Sequence, residues 1–212
     1  MRRFFNLAAM LALAACSSAP RQHVSITNFT FPWSEKPAPH TRCDLSTTSK
    51  YLIAVFTVED SDIVIADSWN GESTLNGEDR VELFFARNDD ASLKNYWCLE
   101  IDPLGRVHDY HASHYRKFDP TWNCSGLQTT ARHRAGGYEV TVRIPLSTMS
   151  DLLGHPITHG SEIRLGLYRA EFYGKGYASH GAANDNWLSW VRPDVRQPDF
   201  HVPSAFRLWK LP

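Results

Sequence analysis

The segment Gly137-Tyr-Glu-Val-Thr-Val-Arg-Ile-Pro145 decides the fold, because apolar and polar residues alternate in it without interruption. Successive side chains of a β-strand point to opposite faces, so its apolar side chains should cover a core while the polar ones face solvent. Ala135-Gly-Gly137 is a turn signal, and residues 126–133 before it suit a second strand. The segment therefore predicts one arm of a β-hairpin with a single buried face.

Further strands are predicted on both sides of this hairpin. Tyr51–Glu59 is apolar on both faces, which is typical of a buried central strand. Residues 95–102 and 106–110 flank a Gly-containing turn, and residues 79–85 and 161–172 are also strand-like. About nine short strands without a βαβ rhythm predict an all-β fold, a single antiparallel β-sandwich of immunoglobulin or jelly-roll type.

One short helix is predicted within this sandwich, over residues 145–154. Ser147 can cap its start, and Gly154 can end it in a left-handed conformation.

The beginning of the chain has the pattern of an export signal. Residues 1–15 combine two Arg with a short apolar run, too short for a membrane span. Leu13-Ala-Ala-Cys16 resembles a bacterial lipobox, which implies cleavage before Cys16 and lipidation of that residue, palmitate included. The expected organisation is a signal peptide over 1–15, a lipidated Cys and tether over 16–28, and one domain over 29–212. By resemblance to Gram-negative sorting patterns, Ser17 and Ser18 favour the outer membrane of the bacterial cell envelope.

Composition limits the partners of the mature chain. After residue 15 it carries 20 basic and 23 acidic residues, a net charge near −3. It has no basic stripe, so we expect no nucleic-acid partner. The 7 Trp, 8 Tyr and 11 Phe residues suit either a β core or a stacking site, and do not decide between them.

Three Cys remain after lipidation, namely Cys43, Cys98 and Cys124. An exported chain permits a disulfide, and an odd number leaves one thiol over. Cys98 and Cys124 lie on neighbouring predicted strands and are the preferred pair.

Two Trp stand three residues apart in the polar stretch Asn184-Asp-Asn-Trp-Leu-Ser-Trp190. A large apolar ring among small polar residues suits a flat ligand, and a sugar has both an apolar C–H face and hydroxyl edges. The alternative is that both Trp pack the end of the sandwich.

An ordered set of motifs resembles the family 9 carbohydrate-binding modules and their DOMON-like relatives. The set covers roughly residues 29–211 and lies in five segments. In chain order it comprises Asp79-x-Val-Glu-Leu-Phe, Tyr96-x-x-x-Glu-x-Asp-x-x-Gly105, Gly137-Tyr-x-Val-x-x-x-Ile-Pro145, Trp190-x-x-Pro and Phe200-His-x-Pro-x-x-Phe206. The resemblance implies a sandwich that binds a glucan or xylan oligosaccharide, or a chain end, between two Trp, and that in some members holds structural calcium.

By position, the resemblance places the sugar between Trp69 and either Trp187 or Trp190. Polar side chains of several types could bond the hydroxyl groups. The candidates are Asn184, Asn186, Glu78, Arg169 and Tyr96.

Acidic residues at predicted strand ends are the candidate calcium ligands, because calcium prefers carboxylate oxygens. They are Asp60, Asp62, Asp79, Glu82 and Asp102. The alternative role for such residues is hydrogen bonding within turns.

No nucleophile elbow, HExxH or Cys–His signature is present, so we expect a non-catalytic protein, with glycoside hydrolysis left to a partner enzyme. Two other functions stay open. One is haem binding and electron transfer by a DOMON-like domain. By that resemblance the axial ligands would be Met, His or Lys, and Met149 is the only Met of the mature chain. The other is a structural envelope lipoprotein that binds protein partners.

Overall fold

Two antiparallel β-sheets packed face to face make up the computed structural model, which describes residues 23–173 and 186–212. The strands are β1 (His23–Ile26), β2 (Thr41–Thr47), β3 (Tyr51–Glu59), β4 (Arg80–Arg87), β5 (Tyr96–Ile101), β6 (Val107–Ser113), β7 (Lys117–Asp119), β8 (Gln128–Arg134), β9 (Gly137–Pro145), β10 (Glu162–Ala170), β11 (Trp187–Ser189) and β12 (Arg207–Lys210). Helix α1 spans Leu146–Leu153, and 3₁₀ turns span Glu72–Gly77 and Pro203–Ala205. The predicted all-β sandwich is confirmed.

The two sheets have different neighbours along the chain. Sheet A has the order β1-β2-β3-β9-β8. Sheet B has the order β11-β10-β4-β5-β6-β7, and β12 also pairs with β10. In β10, residues 168–170 pair with β11 and residues 162–165 pair with β12, so these two short strands share one edge.

The core lies between the sheets and is built from one face of each. From β9, the alternate residues Tyr138, Val140, Val142 and Ile144 are almost fully buried, as the sequence predicted. They meet Leu165 and other inward-facing side chains of sheet B in one apolar cluster. Burial of such a side chain contributes about 1.5–3 kcal/mol to stability. The strict alternation of β9 therefore fixes which face of sheet A is turned inward.

Local details differ from the sequence prediction at two places. Helix α1 ends at Gly154 in the left-handed conformation, as predicted, but Pro145 is its N-cap residue and no side chain caps it. Ser147 is therefore not the cap, because the helix starts one residue before it. Strand β1 lies within the predicted 16–28 tether and pairs with β2, so residues 23–26 belong to the sandwich. The signal segment 1–15, Cys16 and the rest of the tether to residue 22 lie outside the described residues.

The predicted Cys98–Cys124 disulfide is not formed. Cys43, Cys98 and Cys124 are all buried free thiols. Cys98 faces the outer side of sheet B, whereas Cys124 follows β7 and packs in the core between the sheets. Because the two side chains lie on opposite faces of sheet B, the chain cannot join them without moving its backbone.

Among the described residues, no helix has the length and apolar character needed to cross a bilayer.

Gly137 begins β9 where the backbone of β3 approaches very closely. A Cβ at this position would collide with the carbonyl group of Val58, whereas a Cβ at neighbouring Gly136 would meet nothing within 4 Å. We expect Gly137→Ala to lower the free energy of unfolding by about 3 kcal/mol. Gly136→Ala, which has a positive φ of 75° but open space, should lower it by only about 1 kcal/mol. Urea unfolding of both variants measures this, and equal losses would contradict it.

Candidate functional site

The outer face of sheet B carries a cavity of about 550 Å³. That volume lies within the range of small-molecule sites. Strands β4, β5 and β6 provide its floor, and the ends of the sheet and the segment Pro198–His201 provide its walls. The cavity is therefore built on rigid paired strands and closed by a loop.

The C-terminal segment covers the rest of this outer face. Phe200 stacks on Tyr168 with ring centroids 4.0 Å apart, and His201 stacks on Phe84 at 5.4 Å. The Tyr168 hydroxyl donates a hydrogen bond of 2.7 Å to the carbonyl of Ala205. Part of the outer face is thus buried under aromatic side chains, and the cavity lies beside that part.

A row of ionisable side chains crosses the cavity floor. Glu82, Glu100 and His108 lie opposite one another on three adjacent strands. The Nε atom of Arg80 contacts Glu82 at 2.9 Å and Glu100 at 2.8 Å. The Tyr110 hydroxyl donates a 2.8 Å hydrogen bond to Glu100. Arg80, Glu82, Glu100 and Tyr110 form one hydrogen-bonded and ion-paired network that is almost fully buried, and His108 beside it is partly exposed.

The two carboxyl groups of this network titrate differently. Burial, together with the nearby Glu100, raises the pKa of Glu82 to about 8. Burial also acts on Glu100, but Arg80 and His108 outweigh it and lower its pKa to about 2. At neutral pH a protonated Glu82 can donate a hydrogen bond while Glu100 remains ionised and accepts one. The floor thus presents both donors and acceptors with little net charge.

Aromatic rings stand at both edges of the floor. At the β11 edge, Trp187 and Phe172 lie over the Arg80 guanidinium, with ring centroids 5.5 and 6.0 Å from it. At the β7 edge, Phe118 is 43% exposed and contacts the ring of His201 at 4.8 Å. These rings give the cavity apolar faces beside its polar floor.

Asn186 brings an unused hydrogen-bond acceptor to the cavity wall. Its amide nitrogen donates to the carbonyl of Glu171 at 2.6 Å, which fixes the orientation of the side chain. Its Oδ1 atom is buried and, like Nε1 of Trp187, has no hydrogen-bond partner among the described residues. Buried polar atoms are normally paired, so these two are available to a ligand.

The other predicted sugar-contacting residues lie elsewhere. Trp190 is buried in the core, edge-on to Trp209 at 5.0 Å, so it is part of the frame. Trp69 is 42% exposed and stacks on the guanidinium of Arg106 at 4.9 Å, and it is not among the residues that line the cavity. Tyr96 lies beneath the C-terminal cover, with its hydroxyl 3.2 Å from a ring nitrogen of His201.

Glu78 and Arg169 have structural partners instead. Glu78 accepts hydrogen bonds from Arg106 and from the backbone of Ala66, and so holds the loop before β4. Arg169 is completely buried between the sheets. Asn184 lies outside the described residues.

The structure also separates the predicted calcium ligands. Asp60 and Asp79 come together with Glu171, their carboxylate oxygens all within 4.8 Å of one another. Asp62 is exposed, Glu82 belongs to the cavity floor, and Asp102 accepts hydrogen bonds within the β5–β6 turn. Burial raises the pKa of Asp79 to about 8 and that of Glu171 to about 7. Three buried oxygen donors of this kind fit a hard cation such as calcium.

Met149 is fully buried in the core beneath α1. Its sulfur therefore does not reach the cavity.

No protein-family model matches the chain, and no curated protein matches it in sequence. Several solved structures do match the chain in fold. A protein of Bacteroides uniformis proposed to bind carbohydrate superposes with a TM-score of 0.66 and 14% identity, covering 91% of this chain and 87% of its own. A family 9 carbohydrate-binding module of Caldicellulosiruptor kristjanssonii with glucose superposes with a TM-score of 0.58 and 15% identity, covering 91% of this chain and 84% of its own. A family 9 module of the same organism with cellotriose superposes with a TM-score of 0.57 and 16% identity, covering 87% of this chain and 81% of its own.

The chain has the fold of a family 9 carbohydrate-binding module. The predicted resemblance is thus confirmed at the level of the fold.

Five residues that line the cavity were not among the sugar-binding residues predicted from the sequence, namely Arg80, Glu100, His108, Phe118 and Phe172. One signal was available, because Arg80 and Glu82 alternate with the apolar residues of β4. Charged residues on the outer face of a central strand indicate either solvent or a polar site. The sequence does not say which, since the cover over that face comes from residues more than 100 positions away.

His201 makes stability dependent on pH. Burial lowers its pKa to about 4, and the facing Arg116 and Arg80 act in the same direction, while Glu100 and Asp199 oppose them. An unfolded His titrates near pH 6.5. The unfolded chain therefore binds the proton first, and this contribution to stability is present above pH 6.5 and lost as the pH falls towards 4.

Replacing this residue should remove that dependence. Because His201 keeps some contact with cavity water, we expect the wild type to lose about 2 kcal/mol relative to His201→Gln between pH 7 and pH 4. The measurement is urea unfolding at both values. His133→Gln, on exposed β8, is the control and should follow the wild type. A constant difference between wild type and His201→Gln would contradict the assignment.

Proposed function

We propose that the cavity on sheet B binds a saccharide, with a glucan or xylan oligosaccharide or its chain end as the ligand. The observation that supports this most directly is that Trp187 and Asn186 lie together at the cavity wall, where Oδ1 of Asn186 has no hydrogen-bond partner within residues 23–173 and 186–212. A sugar ring can lay its C–H face on the indole while a hydroxyl group donates to Asn186.

The polar floor suits the remaining hydroxyl groups. Sugar hydroxyls both donate and accept, and the Arg80–Glu82–Glu100 network offers both kinds of partner in fixed positions. These side chains hold one another before any ligand arrives, so little ordering entropy is lost on binding. The network also contains balancing charges, which favours a neutral sugar over a strongly charged one.

The expected affinity is modest. By analogy with bases on aromatic side chains, stacking on Trp187 contributes about 1–3 kcal/mol. A dissociation constant near 1 mM requires about 4 kcal/mol. One stacked ring and a few hydrogen bonds to the floor supply that amount.

The comparisons support the ligand class. The two C. kristjanssonii structures of this fold contain a family 9 module with glucose in one and with cellotriose in the other. We therefore propose a non-catalytic module that captures saccharide for a separate glycoside hydrolase or another envelope protein.

Trp187 should be essential and Trp69 dispensable for binding. We expect Trp187→Ala to weaken xylan- or gluco-oligosaccharide binding at least tenfold, because it removes the apolar wall over Arg80. Trp69→Ala should leave the affinity within about twofold of the wild-type value, since Trp69 does not line the cavity. Calorimetric titration with cellotriose and xylotriose, after a glycan array on the wild type, measures both. The reverse result would move the site to Trp69, and a silent array would refute saccharide binding.

We also propose that Cys16 anchors the protein in the outer membrane through attached lipid. The support is the sequence Leu13-Ala-Ala-Cys16, followed by Ser17 and Ser18. Several acyl chains on one Cys hold a protein in a bilayer, whereas a single chain does not.

Replacing the lipidated residue should release the protein. Expressed in a Gram-negative host, wild type should incorporate labelled palmitate and sediment with outer membranes. Cys16→Ser should do neither and remain in the soluble fraction. Cys43→Ser, which alters a buried thiol of β2, is the control and should keep the label. Unlabelled wild-type protein would exclude the anchor.

A further inference from the structure

The chain enters the sandwich at one particular end. Strand β1 starts at His23, which pairs with Ser46, the last residue but one of β2. Strand β2 then turns through residues 48–50 into β3, so this turn lies beside the point of entry. Helix α1 starts at the same end, because the backbone N–H of Leu146 donates to the carbonyl of Lys50. This end of the sandwich is called the entry end below.

The aromatic wall of the cavity lies at the other end. Strand β3 has nine residues and therefore carries the chain about 27 Å away from the entry end. Asp60 follows it, and carboxylate oxygens of Asp60, Asp79 and Glu171 lie within 4.8 Å of one another, so β4 begins and β10 ends at the same place. Phe172 follows Glu171 directly, and Trp187 pairs with the last residue of β10. This end is called the wall end.

The proposed anchor is joined to the entry end by a short piece of chain. Six residues separate Cys16 from His23. A polypeptide spans at most about 3.6 Å per residue, so the lipidated residue lies no more than about 25 Å from the start of β1. Charged side chains keep a folded domain of this kind out of the hydrocarbon of a bilayer. The tether therefore holds the entry end, and not the wall end, next to the lipid headgroups.

The wall end carries an excess of negative charge. Residues 59–79, which connect β3 to β4, include seven acidic residues and no Lys, Arg or His. Glu59 and Asp62 of this segment are exposed. Arg106 and Arg169 pair with acids of the segment, but two guanidinium groups do not balance seven carboxylates. An anionic bilayer would repel this end of the molecule.

The entry end has no such excess. Lys50 is the only charged residue of the turn between β2 and β3, and Asp151 is the only charged residue of α1. Nearby, Lys210 of β12 stands opposite Glu162 of β10. Opposite charges of this kind offset one another, so an anionic surface repels the entry end much less than the wall end. The tether and the charge distribution thus favour the same orientation.

We propose that the anchored protein stands on an anionic lipid surface with its entry end towards the headgroups and its wall end turned away. The orientation rests on the proposed lipidation of Cys16. It presents Trp187 and Asn186 to saccharide arriving from the aqueous side. It also keeps them away from the sugar headgroups of the bilayer that holds the anchor.

Energy transfer from dye-labelled protein to a bilayer tests the orientation. The purified lipidated chain is reconstituted in vesicles of phosphatidylethanolamine and phosphatidylglycerol that contain an acceptor dye on a lipid headgroup. One variant carries Ser49→Cys in the entry-end turn, and the other carries Ser73→Cys within residues 59–79. Both positions are exposed, whereas Cys43, Cys98 and Cys124 are buried, so a thiol-reactive donor dye labels the introduced residue.

Transfer from position 49 should be at least twofold more efficient than transfer from position 73, because the two lie at opposite ends of the sandwich. In neutral phosphatidylcholine vesicles the difference should become smaller but persist, since the tether remains while the repulsion is removed. Equal transfer from both positions, or more from position 73, would overturn the orientation. A difference that is the same in neutral vesicles would overturn the contribution of charge. Asn70→Cys, exposed in the same segment, replaces Ser73→Cys should that variant not fold.

The anchor and the orientation fail in different ways. The control is the same pair of labelled proteins carrying Cys16→Ser, which should show transfer from neither position. Protein with an intact Cys16 that takes up no palmitate and shows no transfer refutes the anchor, and the orientation with it. Palmitate-labelled protein with equal transfer from both ends refutes the orientation alone.

Discussion

Sheet B is covered by protein on both of its faces, and the site depends on this double burial. Its inner face meets sheet A across the core, and its outer face meets the aromatic segment from Phe200 to Phe206. A sheet with only one covered face would place polar residues on the other and leave them in water. Here the cover stops partway. The charged part of the outer face is walled on its sides and becomes a cavity.

Enclosure gives the floor its unusual electrostatics. Arg80, Glu82 and Glu100 are each no more than 5% exposed, so water screens their charges weakly. Removing one partner of a buried ion pair destabilises a protein by about 3–5 kcal/mol, because the other charge is left alone. A network of this kind is a poor way to gain stability, and an apolar floor would serve the fold at least as well. Fixed donors and acceptors of this kind suit a polar ligand, and they support the proposed saccharide site.

Sequence patterns predicted those parts of the structure that follow from local alternation. The faces of β9, the buried β3 strand and the left-handed end of α1 at Gly154 all depend on near neighbours in the chain. The sequence left either Trp as the sugar partner, and the structure places Trp187 at the cavity and Trp190 in the core. The sequence pattern could not predict which residues from distant parts of the chain meet at the cavity. Phe118 reaches the cavity from the opposite edge of sheet B to Trp187, and no local signal links the two.

The same limit explains the predicted acids. Asp60, Asp79, Asp62 and Asp102 all stand at predicted strand ends in the sequence. Only the fold shows that Asp60 and Asp79 lie together in a buried cluster, whereas Asp102 lies in a turn. Glu171 continues the inward-facing series of β10 beyond Arg169, one residue past the end of that strand. The Arg169 guanidinium pairs with Glu171 and Asp60, while Asp79 accepts the backbone N–H groups of Val64 and Phe172. Because the next residue, Phe172, already belongs to the cavity wall, the charge balance of the core and the shape of the cavity are set by one short piece of chain.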